Sequence, residues 1–362
     1  MTGGNLQDIR AWIEFKGRRL LLEVIVRLFR RRLKLACPNG LQNPKILVVR
    51  IDERVGNIVM MTPLLENLRN LYPHGTIHLL GNRRSQEILQ NHQSGVQIIP
   101  FTKRNIFGTH GIVKTMAHLR KEKYQIAFDA GNPTVPSLTH HLITRLAGAK
   151  YCAAITEPQF SDMFDHASTI PKAQQNTYHE IEMRLELLSQ FPPHPQVITP
   201  SLRVPQCPKA DAILKLHNLH RHPFFILNLG ARLKEKQLSP TQYSTLASIM
   251  GEFGVPILCT WGPNEKVIAK SISKNCDHVI VAPDTNLQTL SVLMAAATAT
   301  VSCDTGPMHI SVALKTPTCG IFVSTDPTRY GYKTARNQVI DARQGFHPDN
   351  AQTLRAWISQ FR

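Results

Sequence analysis

The densest chemistry in this sequence of 362 residues lies in the run Ser302-Cys303-Asp304-Thr305-Gly306-Pro307-Met308-His309. A β-branched, apolar stretch from Ala299 to Cys303 leads into it, and helical spacing follows from Met308 to Leu314. A turn from strand to helix aims free backbone N–H groups, and the positive end of the helix, at whatever sits before it. Thr305 and Gly306 are therefore candidates to cradle a phosphate. Asp304 can accept from a ribose or sugar hydroxyl, and His309 can donate to a phosphate oxygen. Asp or Thr ahead of a helix also acts as a plain cap; the position at a strand end favours a ligand as well.

Three more runs sit where strands end. Asn228-Leu229-Gly230-Ala231-Arg232 is followed by Lys234, Lys236 and Ser239. Gly230 allows close backbone approach, and a Lys or Arg here can neutralise a diphosphate, although basic loops are common without any such role. In Trp261-Gly262-Pro263-Asn264-Glu265, Glu265 can bind a ribose or base, or simply place a charge at a helix start. Arg50-Ile51-Asp52-Glu53-Arg54-Val55-Gly56-Asn57 is neither a GxGxxG nor a Walker loop, so a dinucleotide dehydrogenase is poorly supported.

The elements that must hold these runs repeat. Lys45–Arg50 reads as a buried strand, 56–71 as a helix and 76–80 as a second strand, which makes a βαβ unit. Strands at 96–100 and 125–129 flank a helix at 111–122. The stretch 156–210, rich in Pro around one helix from His179 to Gln190, reads as a linker. Strands at 224–229, 256–260, 279–281, 299–303 and 318–322 then alternate with helices at 241–253, 264–274, 287–296 and 308–314. The fold class is α/β: two doubly wound, Rossmann-like domains facing a central cleft, with a basic helical extension at the N-terminus. The divisions are 1–40 for the extension, 44–205 and 206–345 for the two domains, and 346–362 for a terminal helix that packs back across them.

Lys and Arg number 42 against 25 Asp and Glu, a net charge of +17. That excess suits a polyanionic partner. No nucleic-acid motif accompanies it, so nucleic acid ranks low. The seven Cys include no CxxC pair, which argues against a zinc or iron–sulfur site and suggests reduced core residues in a cytosolic compartment. No metal and no cofactor is expected. Residues 1–36 mix apolar and basic side chains, too often charged to span a bilayer and lacking a signal-peptide core. A basic amphipathic helix on an anionic membrane surface fits them. Arg83, Arg84, Lys103, Arg104, Lys114, Arg120, Lys121 and Lys123 are candidates for a surface meeting an anionic substrate.

Taken together, KILVVRID…GN…TPLL, HEIEMRLELL, NLGARLKEKQLS, WGPNE and DTGPMHISVALKTP followed by STDP resemble glycosyltransferase family nine, the ADP-heptose:lipopolysaccharide heptosyltransferases. The resemblance runs from Lys45 to Pro327. It implies a GT-B fold and metal-independent, inverting transfer of a heptose from ADP-heptose to the inner core of lipopolysaccharide or a related anionic glycolipid. The donor would sit in the second domain and the acceptor in the first, at the inner face of the inner membrane. By position it implies donor contacts from Asp304, Thr305, Gly306 and His309, phosphate binding by Lys236, and a nucleoside contact from Glu265; Gly230 and Arg232, singled out by their residue types, are counted with them as substrate-binding candidates. The family's first-domain loop usually reads Gly-Asp, that Asp being its proposed base; this chain has Asn57 after Gly56. An amide cannot take a proton as a carboxylate does. Either Asp52 or Glu53 serves instead, or transfer is slow, or the chain binds nucleotide-sugar or glycolipid without efficient transfer.

Overall fold

The computed structural model describes residues 22–38, 40–102, 109–171 and 174–361. It contains two six-stranded sheets, each parallel throughout. The first is built from β1 (Lys45–Val49), β2 (Thr76–Gly81), β3 (Gln97–Pro100), β4 (Ile126–Asp129), β5 (Tyr151–Ile155) and β6 (His166–Ser168). The second uses β7 (Phe225–Asn228), β8 (Ile257–Thr260), β9 (Val279–Val281), β10 (Ala299–Cys303), β11 (Thr318–Phe322) and β12 (Gln338–Asp341). Their orders, β3-β2-β1-β4-β5-β6 and β12-β11-β10-β7-β8-β9, are the same winding. In each, the chain reverses direction across the sheet between its first and fourth strands, leaving a crevice at the carboxyl ends there. The crevices fall at β1/β4 and β7/β10, next to the runs at Arg50 and Asp304.

The strands are apolar on both faces because helices cover both. Ile46, Leu47, Val48 and Val49 are wholly buried, with Ile46 and Val48 packed in one cluster and Leu47 and Val49 in another. The expected helix over 56–71 is broken into Val55–Val59 and Thr62–Leu71, with Pro63 in the first turn of the second piece. Proline lacks the N–H that a continuous helix would need there. The stretch expected as linker carries β6, which pairs with β5 and completes the first sheet. The terminal helix, Pro348–Ile358, buries Leu354, Trp357 and Ile358 in the second domain's core instead of lying across both domains. Arg355 there pairs with Glu252 at 2.7 Å.

Of the N-terminal extension, residues 1–21 lie outside the described residues, and 22–29 are helical. Leu22, Val26 and Phe29 pack on the first domain. Arg31 then inserts its guanidinium against the carbonyls of Ala149 and Lys150 and pairs with buried Asp165 at 2.8 Å. All seven Cys are free thiols.

Candidate active site

The two crevices meet at a cavity of about 350 Å³ lined by Asn57, Gly230, Arg232, Lys236, Asp304, Thr305, Gly306 and His309, among others. Eight of the ten candidate residues from the sequence thus line one cavity. Asp52 and Glu265 stand behind it.

The second-domain wall is a closed polar network. Asp304, at the end of β10, is only 3% exposed. Its Oδ2 accepts from Lys236 Nζ at 2.6 Å and from Thr325 Oγ1 at 2.5 Å, and Oδ1 faces His309 Nε2 at 3.4 Å. Burial alone would raise its pKa. The hydrogen bond from His309 and the Lys236 ammonium outweigh burial and hold the carboxyl well below the usual carboxylate range. The helix Gly306–Ala313 starts immediately after. Its N-cap residue, Thr305, makes no side-chain hydrogen bond to the first turn. Capping alone therefore does not explain Asp304 and Thr305; the first N–H groups stay open toward the cavity, as anion binding requires.

Gly230 and Gly262 let two backbones touch: a Cβ at Gly230 would lie 3.2 Å from Gly262 N. A Cβ at Gly262 would lie 2.6 Å from Glu265 Oε2, so Glu265 is tucked behind that glycine. Gln237 donates to Glu265 Oε1 at 2.7 Å, while buried Oε2 has no partner. A buried carboxylate oxygen of this kind can accept from a hydroxyl of a bound ribose. Arg232 is exposed at the rim.

The first-domain wall is Arg54, Val55, Gly56, Asn57, Met60 and Arg84. Asn57 Nδ2 lies 3.4 Å from Asp52 Oδ2, which also receives the wholly buried Arg50 at 2.5 Å. Glu53 is exposed, as a solvated turn residue would be. The walls touch reciprocally at two glycines. A Cβ at Gly56 would meet the His309 ring at 2.6 Å, and one at Gly306 would meet Val55 at 2.7 Å. An ion pair adds a second bridge: Glu180, on the helix Glu180–Leu185, binds Arg184 of its own helix and Arg329 of the second domain, each at 2.9 Å.

Of the basic residues expected to meet an anionic substrate, Arg84 is on the wall and Arg83 pairs with Glu87 in solvent. Lys103 and Arg104 lie outside the described residues. Arg120, Lys121 and Lys123 are corrected: Arg120 and Lys121 are in the last turn of the helix Thr109–Lys121 and Lys123 lies just beyond it, leading into the amino end of β4, opposite the cleft. Arg120 is bonded there to the Leu146 carbonyl. Sequence reasoning missed Thr325 and Tyr330 on the cavity wall. Thr325 was within reach, since it lies in the STDP run; Tyr330 carried no signal of its own.

Comparison with known proteins settles the lineage. The sequence pattern of glycosyltransferase family 9 (heptosyltransferase) matches residues 112–355. The chain belongs to this family. It is 28% identical to lipopolysaccharide heptosyltransferase 1 of Salmonella typhimurium over 200 residues, 52% of this chain and 59% of that protein. The chain thus spans about three-fifths of the length of that curated relative. A family 9 glycosyltransferase from Veillonella parvula superposes with a TM-score of 0.72 at 17% identity, covering 88% of this chain and 92% of that one. The Escherichia coli heptosyltransferase WaaC with ADP superposes with 0.69 at 20% identity, over 88% and 100%. The family 9 fold in this chain is GT-B, with the paired crevices as its cleft.

Proposed function

We propose that this family 9 chain is an inverting glycosyltransferase that moves a heptose from ADP-heptose to the inner core of lipopolysaccharide or a related anionic glycolipid. The observation that carries the reading is the network of Lys236, Asp304 and His309 at an uncapped helix start, facing Asn57, with Asp52 behind it, across one cavity. In this reading the donor's diphosphate lies over the first N–H groups of the helix Gly306–Ala313, with Lys236 and His309 on its oxygens. Glu265 takes a ribose hydroxyl.

The step is a direct displacement. An acceptor hydroxyl oxygen bonds to the anomeric carbon from the face opposite the diphosphate, and the anomeric C–O bond to phosphate breaks. ADP leaves with that electron pair, and the configuration inverts. Lys236 and the helix N–H groups stabilise the charge that develops on the leaving group. Asn57 orients the hydroxyl, and Asp52, the carboxylate touching Asn57, takes its proton directly or through one water. Closure of the two walls aligns the reactants.

Membrane contact is part of the same proposal. Beyond the packed face, Val24, Leu28, Leu33 and Leu35 are 44–80% exposed and alternate with exposed Arg27, Arg30, Arg32 and Lys34. Such a surface suits the anionic inner face of the inner membrane. No helix among the described residues is long and apolar enough to cross a membrane.

The second reading, nucleotide-sugar or glycolipid binding without efficient transfer, is favoured by one observation: Asn57 occupies the cavity wall where its relatives' base is expected. Transfer from ADP-heptose to a truncated lipopolysaccharide separates the two. Turnover that collapses in Asp52→Asn supports the transferase. Silence in the unmodified chain, relieved by Asn57→Asp, supports the binder.

A further inference from the structure

His309 is held from three sides. Its Nε2 faces Asp304 at 3.4 Å. Its Nδ1 lies 2.8 Å from the Tyr332 hydroxyl, with the rings edge to face at 5.6 Å between centroids. Its Cδ2 edge is against Gly56 of the first domain, where a Cβ would come to 2.6 Å. Tyr332 is itself packed on the ring of His179, 5.2 Å between centroids. His179 belongs to the first domain and caps the helix Glu180–Leu185, its Nδ1 accepting from the Ile181 N–H at 3.2 Å. Nothing in the sequence pointed to Tyr332.

We propose that Tyr332 is a positioning residue for the donor site: it fixes His309 as the tautomer protonated on Nε2, and His179 of the first domain braces it there. A neutral imidazole has one N–H, and the partner of one nitrogen decides where the proton sits. Burial, followed by the charge of Asp304, pushes the Tyr332 hydroxyl far above its ordinary pKa, so it keeps its proton and donates it to Nδ1. The His309 proton then belongs on Nε2, facing the ionised Asp304. The opposite tautomer would set a lone pair of Nε2 against a carboxylate oxygen and leave the Tyr332 proton without its acceptor. His179 stays neutral beside this pair: burial first, with the charge of Arg184, pushes its pKa down to about 4. The donor site is thereby completed only when the first domain is in place, because Gly56 and His179 both come from it.

The role of that Nε2–H toward a diphosphate oxygen rests on the donor reading above, but the tautomer does not. Ring-nitrogen NMR of the full chain reads it directly. Unmodified protein should show His309 with Nε2 protonated and Nδ1 bare, with and without ADP. In Tyr332→Phe the two tautomers should mix, and ADP should bind about three- to tenfold more weakly, the scale of one lost buried hydrogen bond. That weakening should vanish when Tyr332→Phe is made in a His309→Gln background. A proton on Nδ1 in the unmodified protein, or equal weakening in both backgrounds, overturns the proposal. If Tyr332→Phe does not fold, the spectrum of the unmodified chain still decides. Failure of the unmodified chain to bind ADP would refute the donor reading and leave the tautomer result standing.

Discussion

The two walls of the cleft are built on the same winding, yet their polar groups are arranged differently. On the second-domain wall Asp304 is matched by Lys236, Thr325 and His309, and the helix start behind it is open. Behind the first-domain wall, two buried guanidinium groups keep N–H donors in reserve: Arg50 Nε and Arg184 Nε and Nη1 have no partner. One wall is preorganised for a ligand of fixed charge. The other keeps hydrogen-bonding capacity in hand beside Asp52 and Asn57. Preorganised charge is the larger source of transition-state stabilisation, so the second-domain wall should tolerate less change.

The sharpest way to break the contrast is at the bridge between the walls. Glu180 is the one carboxylate paired with buried Arg184 among the described residues, and burial, then Arg50, lowers the Arg184 pKa to about 10. Glu180→Ala should destabilise the fold by about 3–5 kcal/mol in urea unfolding, because an unpaired buried charge remains. A loss below 1 kcal/mol would mean that the bridge is ornamental. Next comes the glycine contact. Gly56→Ala forces a Cβ into the His309 ring, and kcat/KM should fall about ten- to a hundredfold with little change in unfolding midpoint. An unchanged rate would show that the contact between Gly56 and His309 plays no part in aligning the reactants.

The smallest effect is acid lability. His179 has an unfolded pKa near 6.5 and a folded one of about 4, so its neutral form is favoured by folding. Its contribution is complete above pH 6.5 and lost as pH falls from 6.5 to 4, since the unfolded chain binds the proton first. The loss should be about 1–3 kcal/mol, and His179→Gln should flatten the pH dependence of the thermal midpoint in that window. His78, His140 and His166 are depressed mainly by burial and add to the same slope.

Much of the second domain was legible because strand runs such as 279–281 and 299–303 are short, β-branched and bounded by turn residues; β9 and β10 span those residues. The residues lining the cavity were legible for a related reason: their runs follow strand ends. The first domain was less so. Tyr151–Ile155 holds two alanines and a cysteine, which lack the β-branched signature, and was passed over. His166–Ser168 was hidden in a proline-rich stretch whose pairing with β5 only tertiary structure reveals. Asn57 stood out in the sequence as an amide where a carboxylate was expected, yet its contact with Asp52 is made across the loop between β1 and the helix Val55–Val59, which the apolar spacing at 56–71 did not show. Tyr332 was invisible because its role is set by a contact with His309 across a folded loop.

The division of labour between the walls is tested most directly by measuring ADP affinity and heptose transfer side by side in Lys236→Ala and Asp52→Asn. The account predicts that Lys236→Ala weakens ADP at least about tenfold and abolishes transfer with it, the scale of a lost charge-assisted contact. It predicts that Asp52→Asn abolishes transfer while ADP binds as in the unmodified chain. Full transfer in Asp52→Asn, or unweakened ADP binding in Lys236→Ala, would contradict it.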